Sequence, residues 1–366
     1  MKTKIMISFF VALILCVTGC KKSKEEKIIS VKTETKIQTT TQKPTVEENI
    51  NKMDENQNAL TETKTITEEP LDKKDINKQD EEGRTDLMKE AENGNLVKVK
   101  ELIDKGANLN IRDNQGKTAL IYAVYEDHKE VVKILADKGA NLDIEGRFNE
   151  KDWTPYLGVS DYTPLCVAIW KGHKEIVKIL VDKGANLESY CGFSSVALME
   201  AIEKGDKEIV EILVNKGANV SVDFELRSTP LIAATCRGYT EIAKILIDKG
   251  AYLDGATASI GETALTCASE SGYTEIVKML VDHGANLDSK VDGTYPGTAL
   301  IYAAKNGHTE IVKILVDKGA NLNIKGADLD KGEYGKTALD YAVDKGYTEI
   351  ADILRKAQES KNKKES

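Results

Sequence analysis

Two nearly identical stretches of sequence lie far apart in the chain. Residues 308–323 read HTEIVKILVDKGANLN, and residues 173–188 read HKEIVKILVDKGANLE. Further copies are marked by Gly-Ala pairs, whose glycines are 106, 139, 184, 217, 250, 284 and 319. Their spacing stays near 33 residues apart from one longer step, from 139 to 184. A fixed period with occasional insertions predicts a stacked repeat architecture.

A second marker, a Thr-x-Leu triplet such as Thr118-Ala119-Leu120, opens most of the units. Threonine is a good helix N-cap, and alanine or proline suits the first helical position. A glycine then ends the first helix, and a Glu-Ile-Val-x-x-Leu run predicts a second one. Counting Val196-Ala197-Leu198 as a variant of the marker gives eight units of two short helices. Such a pair cannot bury its own apolar surface, so neighbouring pairs must stack.

The period, the Thr-Pro-Leu start at Thr229-Pro230-Leu231 and the Gly-x-x-Glu-Ile-Val-x-x-Leu continuation closely resemble the ankyrin repeat. The resemblance covers residues 81–357. It implies an all-α solenoid of about eight helix-turn-helix units with β-hairpin-like loops, and binding of a partner by loop tips and exposed first-helix positions. The histidine that follows Thr-Pro-Leu in the family is absent from every unit. The polar contacts which that histidine makes between repeats must therefore be weaker here or made otherwise.

Residues 1–19 are predicted to be a lipoprotein signal peptide. Lys2 and Lys4 precede an apolar run over residues 5–17, and the following VTGC resembles a bacterial lipobox. By that resemblance Cys20 becomes the lipid-bearing N-terminus and holds the chain at a membrane of the bacterial cell envelope. The side of exposure, periplasm or cell surface, stays open. The alternative is an ordinary signal peptide with an incidental cysteine.

A disordered polar tether is predicted over residues 20–80, because residues 21–80 lack Phe, Trp and Tyr and are rich in Lys, Glu and Thr. Such a composition buries too little apolar surface to offset the entropy of ordering. The alternative for this segment is a short binding motif of its own. The repeat domain is assigned to residues 81–357, a polar tail to residues 358–366, and the chain is expected to be monomeric.

Charge and residue types argue against several classes of function. The formal net charge of −9 is unfavourable for binding nucleic acid, which requires clustered Lys and Arg. His128, His173 and His308 occupy a position that other repeats fill with tyrosine, so packing and hydrogen bonding are expected there. Residues 328–333 resemble a calcium loop only faintly, and a solvated loop is favoured. No catalytic residue, metal ligand or cofactor is predicted.

Four cysteines follow the predicted signal peptide and tether: Cys166, Cys191, Cys236 and Cys267. Their irregular spacing matches no zinc-binding pattern. An exported compartment permits disulfides. Free thiols are nevertheless expected more often than bridges, because the four residues fall at different places in different repeats.

The fifth residue after the conserved leucine varies along the stack, as an exposed row should. Its occupants are Glu92, Tyr125, Trp170, Glu203, Cys236, Glu270, Lys305 and Asp344. Tyr125 and Trp170 flank an insertion of roughly 12 residues near 145–160 that carries Phe148, Trp153 and Tyr156. Tyr122 lies one helical turn from Tyr125. Large aromatic side chains of this kind form hot spots on protein interfaces. The alternative is a local apolar core, in which the insertion folds back and Trp153 covers Trp170.

The expected function is therefore that of a membrane-anchored scaffold that binds another protein, of unknown identity, without catalysis. A rival hypothesis is an exported enzyme or metal-dependent factor, which would need a cluster of Cys and His residues that the sequence does not show. A second rival is a structural spacer of the envelope, which would bind no partner in a saturable way.

Overall fold

The computed structural model describes residues 75–148, 160–192, 195–221, 228–257, 261–290, 296–328 and 333–365. These residues form eight successive pairs of α-helices and two short β-hairpins. The predicted all-α repeat architecture is thereby confirmed. Cys20, Trp153 and Tyr156 lie outside the described residues, as does most of the predicted tether.

The helices alternate between two rows, and odd numbers denote the first helix of each pair. The first helices are α1 Asp86–Glu92, α3 Ala119–Tyr125, α5 Pro164–Lys171, α7 Ala197–Lys204, α9 Pro230–Cys236, α11 Ala264–Ser271, α13 Ala299–Asn306 and α15 Ala338–Asp344. The second helices are α2 Leu96–Asp104, α4 Lys129–Asp137, α6 Lys174–Asp182, α8 Lys207–Asn215, α10 Thr240–Asp248, α12 Thr274–Asp282, α14 Thr309–Asp317 and α16 Thr348–Glu365. The hairpins pair β1 Gly146–Phe148 with β2 Ser160–Tyr162, and β3 Gly326–Asp328 with β4 Glu333–Lys336.

Threonine side chains cap most of the first helices, as the sequence predicts. The Thr118 hydroxyl accepts a hydrogen bond from the backbone N–H of Ile121 at 3.4 Å. The same cap is made by Thr85, Thr163, Thr229, Thr263 and Thr337. The first helix α5 ends at Gly172, whose φ of 75° is the left-handed conformation that glycine adopts without steric cost.

One continuous apolar core runs through the whole stack. Each first helix packs against the first helices of the neighbouring repeats, and each second helix packs against its own first helix and the second helices beside it. The repeated leucines of seven of the eight first helices are almost completely buried at this junction, for example Leu120, Leu165 and Leu198, whereas Leu339 in the last repeat is half-buried. Since every pair completes the core of the next, stability depends on the neighbours.

A ladder of hydrogen bonds between successive loops makes polar contacts between the repeats in the absence of the family's histidine. The backbone N–H of Asn141 donates to Asn110 Oδ1 at 2.8 Å, one repeat earlier. Equivalent bonds link Asn186 to Asp143, Asn219 to Glu188, Tyr252 to Ser221, Asn286 to Asp254 and Asn321 to Asp288. The first rung joins the Asn108 N–H to Asn77, a residue of the predicted tether that thus bonds to the first repeat.

Two disulfides correct the expectation of free thiols. One joins Cys166 of α5 to Cys191 in a loop of the next repeat, and the other joins Cys236 of α9 to Cys267 of α11. In both pairs the Cα atoms are 5.4 Å apart, which suits a disulfide. The expectation failed because stacking places residues about one repeat apart in sequence side by side in space.

The last helix continues beyond the repeat pattern. In α16 Leu354 is buried against the core, whereas the segment from residue 358 to residue 365, in the predicted polar tail, remains helical. None of the helices in the described part of the chain combines the length and the apolar character that a bilayer span requires.

Candidate functional site

The variable fifth position after the conserved leucine lies at the surface of the first-helix row. Glu203, Glu270 and Asp344 are exposed there, and the other five occupants are half-buried. Successive first helices contact one another, so that equivalent positions follow each other along the stack. We call this line of side chains the first-helix row surface.

Two of the four histidines each hold neighbouring repeats together. His128 and His308 form hydrogen bonds through Nε2 with the carbonyl oxygens of Glu92 and Glu270, at 2.8 and 3.0 Å. Each ring covers the glycine that ends the first helix of the preceding repeat, where a Cβ would come within 2.7 Å of ring atoms. The same position in other repeats holds a tyrosine ring over the equivalent glycine, as Tyr239 does over Gly205. These contacts explain why His and Tyr alternate at one position.

His173 departs from this pattern. The residue beneath it is Asp127, which adopts a left-handed φ of 61° where other repeats have glycine. His173 Nδ1 lies 3.6 Å from Asp127 Oδ1, and its buried Nε2 has no hydrogen-bond partner. The junction between the second and third repeats is therefore built differently from its neighbours.

An aromatic cluster, consisting of Tyr125, Phe148, Tyr162 and Trp170, lies at this same junction. The ring of Tyr125 stacks on Phe148 at 5.7 Å between centroids and lies 6.2 Å from Trp170. Phe148 in β1 also meets Tyr162 in β2 edge to face, with 6.1 Å between the ring centroids, because the two strands pair with each other. Phe148 and Tyr162 are buried, whereas Tyr125 and Trp170 keep part of their surface in solvent.

Two lysines accompany the cluster. Lys171 Nζ lies 3.6 Å from the ring centroid of Tyr125 and 5.2 Å from that of Trp170, and Lys117 Nζ lies 4.3 Å from that of Phe148. A cation over an aromatic face at an exposed site contributes about 0.5–1 kcal/mol. The cluster thus presents ring surface and positive charge together.

Two of the three predicted site residues that the structure describes lie together. Tyr125 and Trp170 are in contact, whereas Trp153 and Tyr156 lie outside the described residues. Tyr122 points to a different network: its hydroxyl donates to Asp113 Oδ2 at 2.6 Å, and Arg84 lies 4.6 Å from its ring centroid. Burial and the bond to Asp113 raise the pKa of Tyr122 above its usual range, as expected for a hydroxyl that fastens a loop.

Sequence reasoning missed Phe148 and Tyr162 as supports for the predicted rings. The signal was available, because the two residues lie at the two ends of the insertion, where a hairpin must close. The alternative in which Trp153 covers Trp170 stays a prediction, because Trp153 lies outside the described residues.

A second cluster lies farther along the first-helix row surface, at the fifth and sixth repeats. The sulfur atoms of Cys236 and Cys267 and a carboxylate oxygen of Glu262 all lie within 4.8 Å of one another. Burial raises the pKa of Glu262 to about 7, and the neighbouring carboxylate of Glu270 acts in the same direction. We call these three residues the thiol–carboxylate cluster. The sequence did not predict it, although a separation of 31 residues, read in a repeat of about 33, places the cysteines on adjacent helices.

A stack of eight helix pairs with a variable exposed row defines a repeat scaffold. The family model for ankyrin repeats matches residues 50–146, 149–223, 198–291 and 289–365. Because these matches cover most of the chain, the protein belongs to the ankyrin-repeat family, whose repeats are a module for protein–protein interaction. No curated protein matches the chain at a significant level.

Proposed function

We propose that this chain is a non-enzymatic scaffold that binds another protein through the solvent-facing parts of Tyr125 and Trp170. The observation that carries the proposal is their contact at 6.2 Å on the first-helix row surface. Elsewhere along that row the same position holds single acidic residues, a lysine or a cysteine. Tyrosine and tryptophan are among the side chains that most often dominate the binding energy of a protein interface.

The packing beneath these two rings favours binding. Tyr125 stacks on the buried Phe148, which in turn meets the buried Tyr162, so the Tyr125 ring is ordered before a partner arrives and loses little side-chain entropy on contact. Lys171, which lies over Tyr125, adds a positive charge at the edge of the rings. The matching partner face would carry an apolar side chain to cover the rings and a carboxylate to meet the lysine.

Capture from an envelope extract tests this proposal. Trp170→Ala and Tyr125→Ala should each reduce the captured amount of a saturable partner at least about ten-fold, a loss of about 1.4 kcal/mol. Asp344→Ala changes the same register position at the other end of the row and should leave capture unchanged. Equal capture by all three variants and the parent chain would refute the assigned surface. If no protein were captured in a saturable way, the result would support the structural-spacer hypothesis instead.

We further propose that lipid on Cys20 anchors the scaffold to a membrane of the bacterial envelope. The support is the basic and then apolar stretch that ends in VTGC. When the chain is expressed in bacteria that are fed an alkyne-bearing fatty acid, label should enter the parent chain and disappear in Cys20→Ser. The matched control is Cys16→Ser, which should keep the label; a labelled Cys20→Ser chain would contradict the anchor. Protease treatment of intact cells then separates surface exposure from periplasmic exposure.

A further inference from the structure

We propose that the Cys236–Cys267 pair, when reduced, binds a thiophilic divalent cation such as Zn²⁺ together with Glu262. This site is separate from the aromatic cluster and goes beyond the proposed scaffold function. It rests on the placement of two sulfur atoms and one carboxylate oxygen within 4.8 Å of one another.

A tetrahedral metal site sets the spacing that the three ligand atoms would have to adopt. Zinc bonds to thiolate sulfur at about 2.3 Å and to carboxylate oxygen at about 2.0–2.2 Å, so ligand atoms around one ion are separated by roughly 3.5–3.8 Å. In the oxidised structure the two sulfur atoms are bonded to each other, so after reduction they must move apart to reach that spacing, with the Glu262 carboxylate already close to both. Three protein ligands would leave a fourth position for water or for a group from a partner.

The backbone holds the three ligands on ordered elements. Cys236 is the last residue of α9, and Cys267 lies in α11, the first helix of the next repeat. Glu262 immediately precedes Thr263, the N-cap of α11, and its backbone N–H donates to Thr257 Oγ1 at 3.0 Å. Ligands fixed by helices and a capped loop give a more defined site than ligands on loops alone.

The donor set also selects the kind of ion. Two thiolates with one carboxylate suit Zn²⁺, Co²⁺ or Cd²⁺, whereas Ca²⁺ and Mg²⁺ prefer oxygen ligands alone. Cys236 is half-buried and Glu262 is half-buried, so an ion can approach from solvent. The cysteines of the other disulfide, Cys166 and Cys191, are both buried. No third metal-ligating side chain lies as close to that pair within the residues that the structure describes.

Metal binding and the disulfide exclude each other. A phosphine reductant cleaves the S–S bond, takes an oxygen atom from water to become the phosphine oxide, and leaves two thiols. Each thiol then loses a proton when its sulfur binds the ion. The site is accordingly expected only in the reduced protein, and its oxidised form is the control that contains the same residues.

The test uses the full chain with Cys16→Ser and Cys20→Ser, so that four cysteines remain. The phosphine-reduced protein is titrated with Co²⁺, whose bonds to thiolate give a characteristic near-ultraviolet absorption. We expect one equivalent of Co²⁺ with this absorption, competition by Zn²⁺, and no such absorption from the oxidised protein. Glu262→Gln should weaken Co²⁺ binding at least about ten-fold while the absorption persists at higher Co²⁺ concentration.

The matched controls separate the two cysteine pairs. Changing Cys236 and Cys267 to Ser should abolish the thiolate–cobalt absorption, whereas the same changes at Cys166 and Cys191 should leave one equivalent bound. Far-ultraviolet circular dichroism checks that each variant is folded. The proposal is overturned if the reduced parent chain shows no thiolate–cobalt absorption, or if that absorption survives loss of Cys236 and Cys267. An unchanged affinity in Glu262→Gln would overturn the part assigned to the carboxylate.

Discussion

Two regions of the first-helix row surface use one framework position for different chemistry. At the second and third repeats that position holds Tyr125 and Trp170. The Tyr125 ring stacks on the buried Phe148, and Lys171 lies near both Tyr125 and Trp170. At the fifth and sixth repeats it holds Cys236 and Glu270. Cys236 forms the disulfide with Cys267, and the half-buried carboxyl group of Glu262 lies beside it. The repeated leucines, threonines and glycines fix where the position lies, and the residue placed there decides what it can bind.

The two regions are also held together by different means. The aromatic cluster depends on packing across the β1–β2 hairpin, and the thiol–carboxylate cluster depends on a covalent bond between α9 and α11. Loss of packing should therefore lower the stability of the first region under all redox conditions. Without bound metal, loss of the sulfur atoms should lower the stability of the second region only in the oxidised protein.

The largest expected effect comes from Phe148→Ala. Removing a ring that is 3% exposed creates a cavity under Tyr125 and should cost about 3–5 kcal/mol of unfolding free energy. Thermal unfolding followed by circular dichroism should show a midpoint lower by about 5–10 °C. Arg147→Ala changes the exposed neighbour on the same strand and serves as the control. If both variants unfold at the same temperature, Phe148 does not support the cluster.

A slightly smaller effect is expected when Cys236 and Cys267 are both changed to Ser. The disulfide closes a loop between residues separated by 31 positions, and its loss should cost about 2–4 kcal/mol by freeing the unfolded chain. Denaturant unfolding of the oxidised variant and of the oxidised parent chain measures this difference. In the presence of reductant and a metal chelator, the two proteins should unfold alike. A difference that survives reduction would point to packing by the sulfur atoms instead.

Much of the fold could be predicted because the same local signals recur in most of the repeats. Caps such as Thr118 and terminal glycines such as Gly172 act within a few residues, so a single sequence reveals them. The clusters were harder to predict because they join different repeats. The contact of Tyr125 with Trp170 follows from their shared register, whereas the role of Phe148 depends on how the hairpin closes.

The disulfides also join different repeats, and local sequence signals did not predict them. The irregular positions of Cys236 and Cys267 within their own repeats suggested free thiols, yet stacking brings their Cα atoms to 5.4 Å. Counting positions across adjacent helices would have predicted this pair. The proximity of Glu262 could not have been predicted in that way, because it depends on the loop that leads into α11.

A pH-dependent effect of about 1 kcal/mol is expected for Glu262→Gln in the oxidised, metal-free protein, after allowance for solvent screening. Burial and Glu270 raise the pKa of Glu262 from 4.5 to about 7, so the folded chain binds this proton more tightly than the unfolded chain. The parent protein therefore loses stability as pH rises from about 4.5 to about 7, and a neutral Gln avoids that loss.

The advantage of Glu262→Gln over the parent should consequently be larger at about pH 8 than at about pH 5, as measured by denaturant unfolding. Glu310→Gln, on the exposed start of α14, is the control and should show little pH-dependent difference. A pH-independent offset for Glu262→Gln would mean that ionisation of this carboxyl group does not oppose folding.

The smallest expected effect concerns Asp127, which lies beside the aromatic cluster. Its left-handed φ of 61° disfavours a side chain, and Asp127→Gly removes that cost at the loss of a partly exposed contact with His173. The free energy of unfolding of Asp127→Gly should therefore be higher by about 0.5 kcal/mol, which a small rise of the denaturant midpoint would show. Gly172→Ala is the reciprocal control: a Cβ there meets no atom within 4 Å, so its expected loss of about 1 kcal/mol reports backbone strain alone. If Asp127→Gly lowered stability instead, the Asp127–His173 contact would outweigh the strain, and the unusual junction would be held by charge as well as by packing.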